Sequence, residues 1–177
     1  MKQELGNNNQ PMDAGVSDYS NNGVDDFKAL SRDRFPIRSA EENDLEVIIR
    51  IDKKLNGHER REYFLAKMNE LMRESGIRAS LVAEQDGHVV GFIMARVDYG
   101  EYGRTEPAAV IDTIGVDPGF ARHGIASALL SQLLTNLDAL HVERVRTNVS
   151  WKNVSLVSFL DRNGFEPAQQ LILSKAI

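Results

Sequence analysis

Cysteine is absent from this 177-residue chain. Disulfides, thiolate metal sites and a cysteine acyl-enzyme are therefore excluded. There is no Gly-x-Ser-x-Gly turn, so nothing signals a serine nucleophile. Basic residues number 21 against 26 acidic, a net charge of −5, which speaks against a nucleic-acid-binding surface. No apolar run approaches the ~20 residues of a membrane-spanning helix, and Met1–Leu5 lacks the apolar stretch of a secretory signal. The histidines His58, His88, His123 and His141 show no metal-ligand spacing. These absences lead to the expectation of a cytoplasmic protein with no metal, no nucleic acid and no membrane partner. The single tryptophan, Trp151, is expected to pack between a strand and a helix.

What is present suits one domain with one core: 42% of residues are hydrophobic. Residues 1–34 are polar and turn-rich (Asn7-Asn8-Asn9-Gln10, Ser20-Asn21-Asn22-Gly23) and are expected to form a flexible arm. The domain is expected over 35–177. Phe35–Arg38 reads as a first strand, and Ser39 with Glu42 as a capping box for a helix carrying Leu45, Ile48 and Ile49 on one face. His58–Ser75 reads as a second helix closed by Gly76. Asp86-Gly87 between two β-rich runs signals a hairpin, and Tyr99–Pro107 reads as a connecting loop. Strands at Val110–Val116 and Val142–Val149, a helix over Asn153–Asn163 and a strand at Leu171–Leu173 complete a β-α-α-β-β-β-α-β-α-β order. That order implies an α/β mixed sheet with helices on both faces.

The most telling segment runs from Val116 to Leu130. A β-branched strand ends at Pro118, Gly119 and Gly124 permit tight turning, and Ala126, Leu129, Leu130, Leu133, Leu134, Leu137 and Leu140 recur at helical spacing. Such a strand-turn-helix start presents backbone N–H groups and a helix dipole to an anion. Arg122 and His123 add donors. The segment lacks the Lys-Ser/Thr of a nucleotide-hydrolysing loop and the G-x-G-x-x-G of a dinucleotide fold.

A second segment, Asn153 to Phe165, follows one strand later and ends in Gly164-Phe165. In this order and at this separation the two segments resemble the acyl-CoA-binding core of the GNAT superfamily of N-acyltransferases. The resemblance implies a central sheet of six or seven strands, with two parallel strands splayed to admit the pantetheine arm. It implies acetyl-CoA as co-substrate, bound by backbone at Ile114, Gly115 and Val116 and by the loop residues Arg122, His123, Gly124, Ile125, Ala126 and Ser127. Asn153 and Phe159 would flank the arm, and the oxyanion donor would be a backbone amide near Ile114. Two positions depart from the family pattern. Ala121 replaces an Arg or Gln, and Leu160 replaces the tyrosine that protonates the leaving thiolate, so Tyr99 and Tyr102 come into view as substitutes.

Direct transfer to an amine needs a route for its proton. Asp112, an acid in an apolar strand sharing a face with Val110 and Ile114 by alternation, is the first candidate for a base; its alternative is a carboxylate bonded to a backbone amide or an arginine. Glu84, Glu101 and Glu106 are weaker, and Thr147 and Ser158 could hold an ordered water. The reading is an N-acetyltransferase acting on a primary amine, of a protein or of a small molecule, as monomer or homodimer. Its alternative is a non-catalytic acyl-CoA-binding or interaction module on the same fold.

Overall fold

The computed structural model describes residues 34–73, 79–101, 104–169 and 173–176, with only the backbone at 71–73, 99–101 and 104–105. The expected arm, but for its last residue Arg34, therefore lies outside the described residues, as do Gly76 and Tyr102. Five strands are hydrogen-bonded in chain order: β1 (Ile37–Ser39), β2 (Leu81–Gln85), β3 (His88–Glu101), β4 (Arg104–Val116) and β5 (Val145–Thr147). The first three pairings are antiparallel and β4–β5 is parallel. The helices are α1 (Leu45–Asn56), α2 (Arg61–Arg73), α3 (Ile125–Ala139) and α4 (Val154–Arg162). This is the expected mixed α/β architecture, with one or two strands fewer among the described residues. Leu171 and Ile172 lie outside them, and Leu173 has no regular structure.

Each face of the sheet has its own core. On one, Leu129, Leu130, Leu133 and Leu137 of α3 bury against Leu81, Ala83, Ile93, Ala109 and Ile111, with Phe159 and Phe165 packed alongside. On the other, Ile48 and Ile51 of α1 and Phe64 and Met68 of α2 cover Val82, Phe92 and Met94. The period-3.6 stripes read from sequence supply these buried residues, except Leu140, which follows the last turn of α3 and is 45% exposed.

Several local expectations are corrected. The capping box is made by Glu41 and Asp44, because Ser39 is held in β1 opposite Leu81. The second helix begins at Arg61, where Arg60 turns back to pair with buried Asp52 (2.9 Å). The Asp86-Gly87 turn is confirmed, both residues with positive φ (51° and 74°), as a two-residue hairpin requires. Much of Tyr99–Pro107 is strand rather than loop: β3 runs to Glu101 and β4 starts at Arg104, pairing Tyr99 with Pro107 and Glu101 with Arg104. Antiparallel pairing outweighs the glycines and proline there. The strand expected over Val142–Val149 shortens to Val145–Thr147.

Candidate functional site

The site is created where β4 leaves β5. The parallel ladder matches Ala109, Val110 and Ile111 with Val145, Arg146 and Thr147, and then stops. β4 continues to Val116 along β3 alone. Beyond it no pairing joins β4 to β5, which leaves a gap in the sheet at the place where the two parallel strands were expected to splay.

A bulge on β4 sets what faces the gap. Met94 pairs with Thr113 but Ala95 with Ile111, leaving Asp112 as the extra residue. Before the bulge, Ala109 N–H donates to Arg144 C=O (2.8 Å) and Ile111 C=O accepts from β5, so odd-numbered backbone groups point towards β5. After it, Asp117 N–H donates to Val90 C=O (2.8 Å), so the odd-numbered groups point to β3 and those of Ile114 and Val116 are turned into the gap. Gly115 instead faces Phe92; a Cβ there would lie 2.8 Å from the Phe92 ring and 3.0 Å from Leu55.

The bulge also corrects the expected face of Asp112. Ile114 and Val116 pack with the α3 core, together with Ile111, because the extra residue reverses the alternation. Asp112 lies on the α1/α2 side. There one carboxylate oxygen meets Lys67 Nζ (2.9 Å) and the other meets Arg96. The chain of charges continues from Arg96 to Asp98 (3.0 Å) and from Asp98 to Arg146 (2.9 Å), and Lys67 also bonds Glu70 (3.0 Å). Burial lowers the affinity of Lys67 for its proton, but the bonds to Asp112 and Glu70 outweigh it and hold the ammonium above its ordinary pKa. Lys67 is therefore a cation. This wall was not recognised from sequence. Its signals were Arg96 and Asp98 at alternate positions of an otherwise apolar strand, and Lys67 inside an apolar helix stripe.

At the open end of β4, Pro118–Phe120 forms a 3-10 turn, Arg122 takes φ 65°, and Gly124, φ 89°, starts α3 with no side chain capping it. The first amides of a helix have no intrahelical acceptor. Those of Ile125, Ala126 and Ser127 therefore converge with the positive end of the α3 dipole, beside exposed Arg122 and His123. Asp117 braces the loop: one oxygen accepts from Gly119 N–H (3.1 Å), the other from Lys54 Nζ of α1 (2.6 Å). Lys54 holds this carboxyl below its ordinary pKa, against a smaller effect of burial. Gly91 lets α3 approach, since a Cβ there would sit 2.9 Å from Ile125. An open cleft of about 370 Å³ adjoins His123 but lies against Phe35 and Asp86, away from the gap.

On the β5 side, Asn153 caps α4 by accepting from Leu156 N–H (3.2 Å), and Phe159 is half-buried in the α3-side core. Leu160 is buried, 7% exposed. Trp151 is 81% exposed with Lys152 Nζ 5.9 Å from its ring, so the expected strand–helix packing is not made: β5 ends too early to present a surface to it. Glu84 is bonded to Arg38 (2.7 Å), Glu106 and Ser158 are exposed, and the side chains of Tyr99 and Glu101 lie outside the described ones. Among the described residues no cluster could hold a metal ion, and no helix is long and apolar enough to cross a membrane.

Comparison with solved structures finds the same fold. A transcriptional regulator from Bacillus halodurans C-125 superposes with a TM-score of 0.69 at 16% identity, covering 81% of this chain and 99% of that one. The aminoglycoside N-acetyltransferase AAC(6')-Iy in complex with CoA gives 0.69 at 21%, covering 80% and 94%. An aminoglycoside 6'-N-acetyltransferase from Acinetobacter haemolyticus gives 0.66 at 21%, covering 80% and 99%. The sequence model of the acetyltransferase (GNAT) family matches residues 37–165. That span is most of the chain, and the chain belongs to the GNAT acetyltransferase family.

Proposed function

We propose that the protein transfers the acetyl group of acetyl-CoA to a primary amine by direct attack in a ternary complex. The observation that carries the reading is a pair of backbone features on consecutive elements: the uncapped α3 N-terminus, and the backbone groups of Ile114 and Val116, which point away from β3 beyond the end of the β4–β5 ladder. A pyrophosphate at Arg122–Ser127 would direct a pantetheine arm along β4, past Asn153 and Phe159. The thioester carbonyl would then come within reach of the Ile114 amide, which would stabilise the oxyanion. The acceptor approaches from the opposite face, past Lys67, Arg96 and Asp98. Its nitrogen bonds to the thioester carbon, the C–S bond breaks, and the amine proton leaves through water. Both oxygens of Asp112 are engaged by cations, so we assign it to anchoring the acceptor wall rather than to proton removal. Leu160 offers no proton to the thiolate, but a thiol with a pKa of about 8.5 leaves adequately without one.

The test is release of free thiol from acetyl-CoA across a panel of aminoglycosides, polyamines, amino acids and peptides. Acceptor-dependent release with intersecting initial-rate lines supports transfer in a ternary complex. Parallel lines would indicate an acyl-enzyme and overturn it. Buried Leu160 and the neutralised Asp112 favour one second reading, an acyl-CoA-binding module without chemistry. CoA binding by calorimetry with no thiol release for any acceptor would decide for that module.

A further inference from the structure

Around Asp112, three side chains keep hydrogen-bond donors that no described residue uses. Arg96 spends Nε on Asp98 (3.0 Å) and Nη1 on Asp112, and its Nη2 has no partner among the described residues. Lys67 Nζ bonds Asp112 (2.9 Å) and Glu70 (3.0 Å), which leaves one of the three N–H groups of an ammonium. Tyr63 stands one helical turn before Lys67 on α2, its ring packed edge-on to Phe64 at 5.0 Å. Its hydroxyl bonds no described residue. Burial, and after it the charge of Asp112, hold this phenol above its ordinary pKa, so it keeps its proton.

The carboxylates are placed differently. Asp112 has Lys67 on one oxygen and Arg96 on the other, and Asp98 has Arg96 on one and Arg146 on the other. Glu70, the last carboxylate in this chain of charges, is bonded to Lys67. An ammonium brought to the wall would be a third cation on either aspartate. A carboxylate brought to it would meet unused donors from two cations and a phenol, and such charge-assisted bonds are the strong ones. Asp112 precedes Ile114 by two residues, within about 7 Å along the strand.

We propose that the acceptor carries a carboxylate close to its amine, as a free amino acid or an acidic peptide N-terminus does, and that Arg96, Lys67 and Tyr63 recognise it. The inference rests on the function proposed above and names the substrate class of that same site.

The experiment measures kcat/KM of the full chain for acceptors paired to differ in one carboxylate: free amino acids against their amides, and dipeptide amides with Asp against Asn as second residue. The better of the two series tells a free amino acid from a peptide. Spermidine and an aminoglycoside serve as polycationic comparison. In that series the carboxylate should raise kcat/KM at least about tenfold, mainly through KM, and the gain should shrink with added salt. Arg96→Gln should abolish the preference, and Arg96→Lys, which keeps the charge, should restore part of it. Being a ratio within one protein, the preference is not moved by a general loss of stability. Tyr63→Phe leaves the ion pairs intact and should lower the ratio about threefold; it decides if Arg96→Gln does not fold, an unchanged ratio counting against the proposal. No preference in the parent, a higher kcat/KM for spermidine or the aminoglycoside, or a preference that survives Arg96→Gln would overturn it. A protein that binds CoA but acetylates none of these amines would instead refute the functional reading. Calorimetry with N-acetylglycine against N-acetylglycinamide would then decide on the wall: tighter binding of the acid supports the proposal, and equal binding overturns it.

Discussion

Asp112→Asn separates anchoring from proton removal. The carboxylate is 12% exposed and contacts Lys67, 20% exposed, and Arg96, 31% exposed. Breaking a fully buried pair costs about 3–5 kcal/mol, but two features reduce the figure here. Both cations are partly solvated, and each keeps a second partner, Glu70 for Lys67 and Asp98 for Arg96. The expected loss is about 1–2 kcal/mol, which for a domain of this size lowers the melting temperature by about 3–6 °C. As an anchor, Asp112 should leave kcat within about tenfold and the shape of the pH–rate profile unchanged, with the acceptor KM absorbing most of the effect. A general base would contribute about 10²–10⁴-fold. Calorimetry, denaturant titration and kcat measured from pH 6 to 9 give the three quantities. A variant of undiminished stability whose kcat falls a hundredfold, with the acid limb of its profile lost, would refute the anchoring assignment and restore Asp112 as the base.

Gly124→Asp should weaken CoA binding at least tenfold, about 1.4 kcal/mol, since it places a carboxylate and a strained positive φ at the start of α3; calorimetry checks it. Gly91→Val would overlap Ile125 and Leu129, and overpacking of this kind costs about 1–3 kcal/mol. The displaced α3 N-terminus should carry a loss of CoA affinity with it, read by urea titration and calorimetry together. Burial pushes the Asp44 carboxyl up, but the paired bonds from Arg38 and the Glu41 amide outweigh it and hold the folded pKa below the ordinary value. Its stabilisation is therefore present above about pH 4 and lost as pH falls through the lower folded value. Acid titrations of the parent and Asp44→Asn should converge at low pH.

The sequence alone determined the features that depend on neighbours along the chain. The stripes of α1 and α3 follow from apolar spacing. The β2–β3 hairpin follows from Asp86-Gly87, two residues that accept positive φ. The turn that opens α3 follows from a strand end, two glycines and a helix start within Val116 to Ile125, and Asn153 to Phe165 supplied the second part of the family signature. Only the tertiary structure decided the face of Asp112, because one bulged residue reverses an alternation that the sequence displays without interruption. It also placed Lys67, Arg96, Asp98 and Arg146 in one wall, since their pairing joins α2, β3, β4 and β5 across long separations. The ladder's end at Thr147 and the exposure of Trp151 were decided there too: both depend on where a parallel partner strand stops, and no local propensity encodes that.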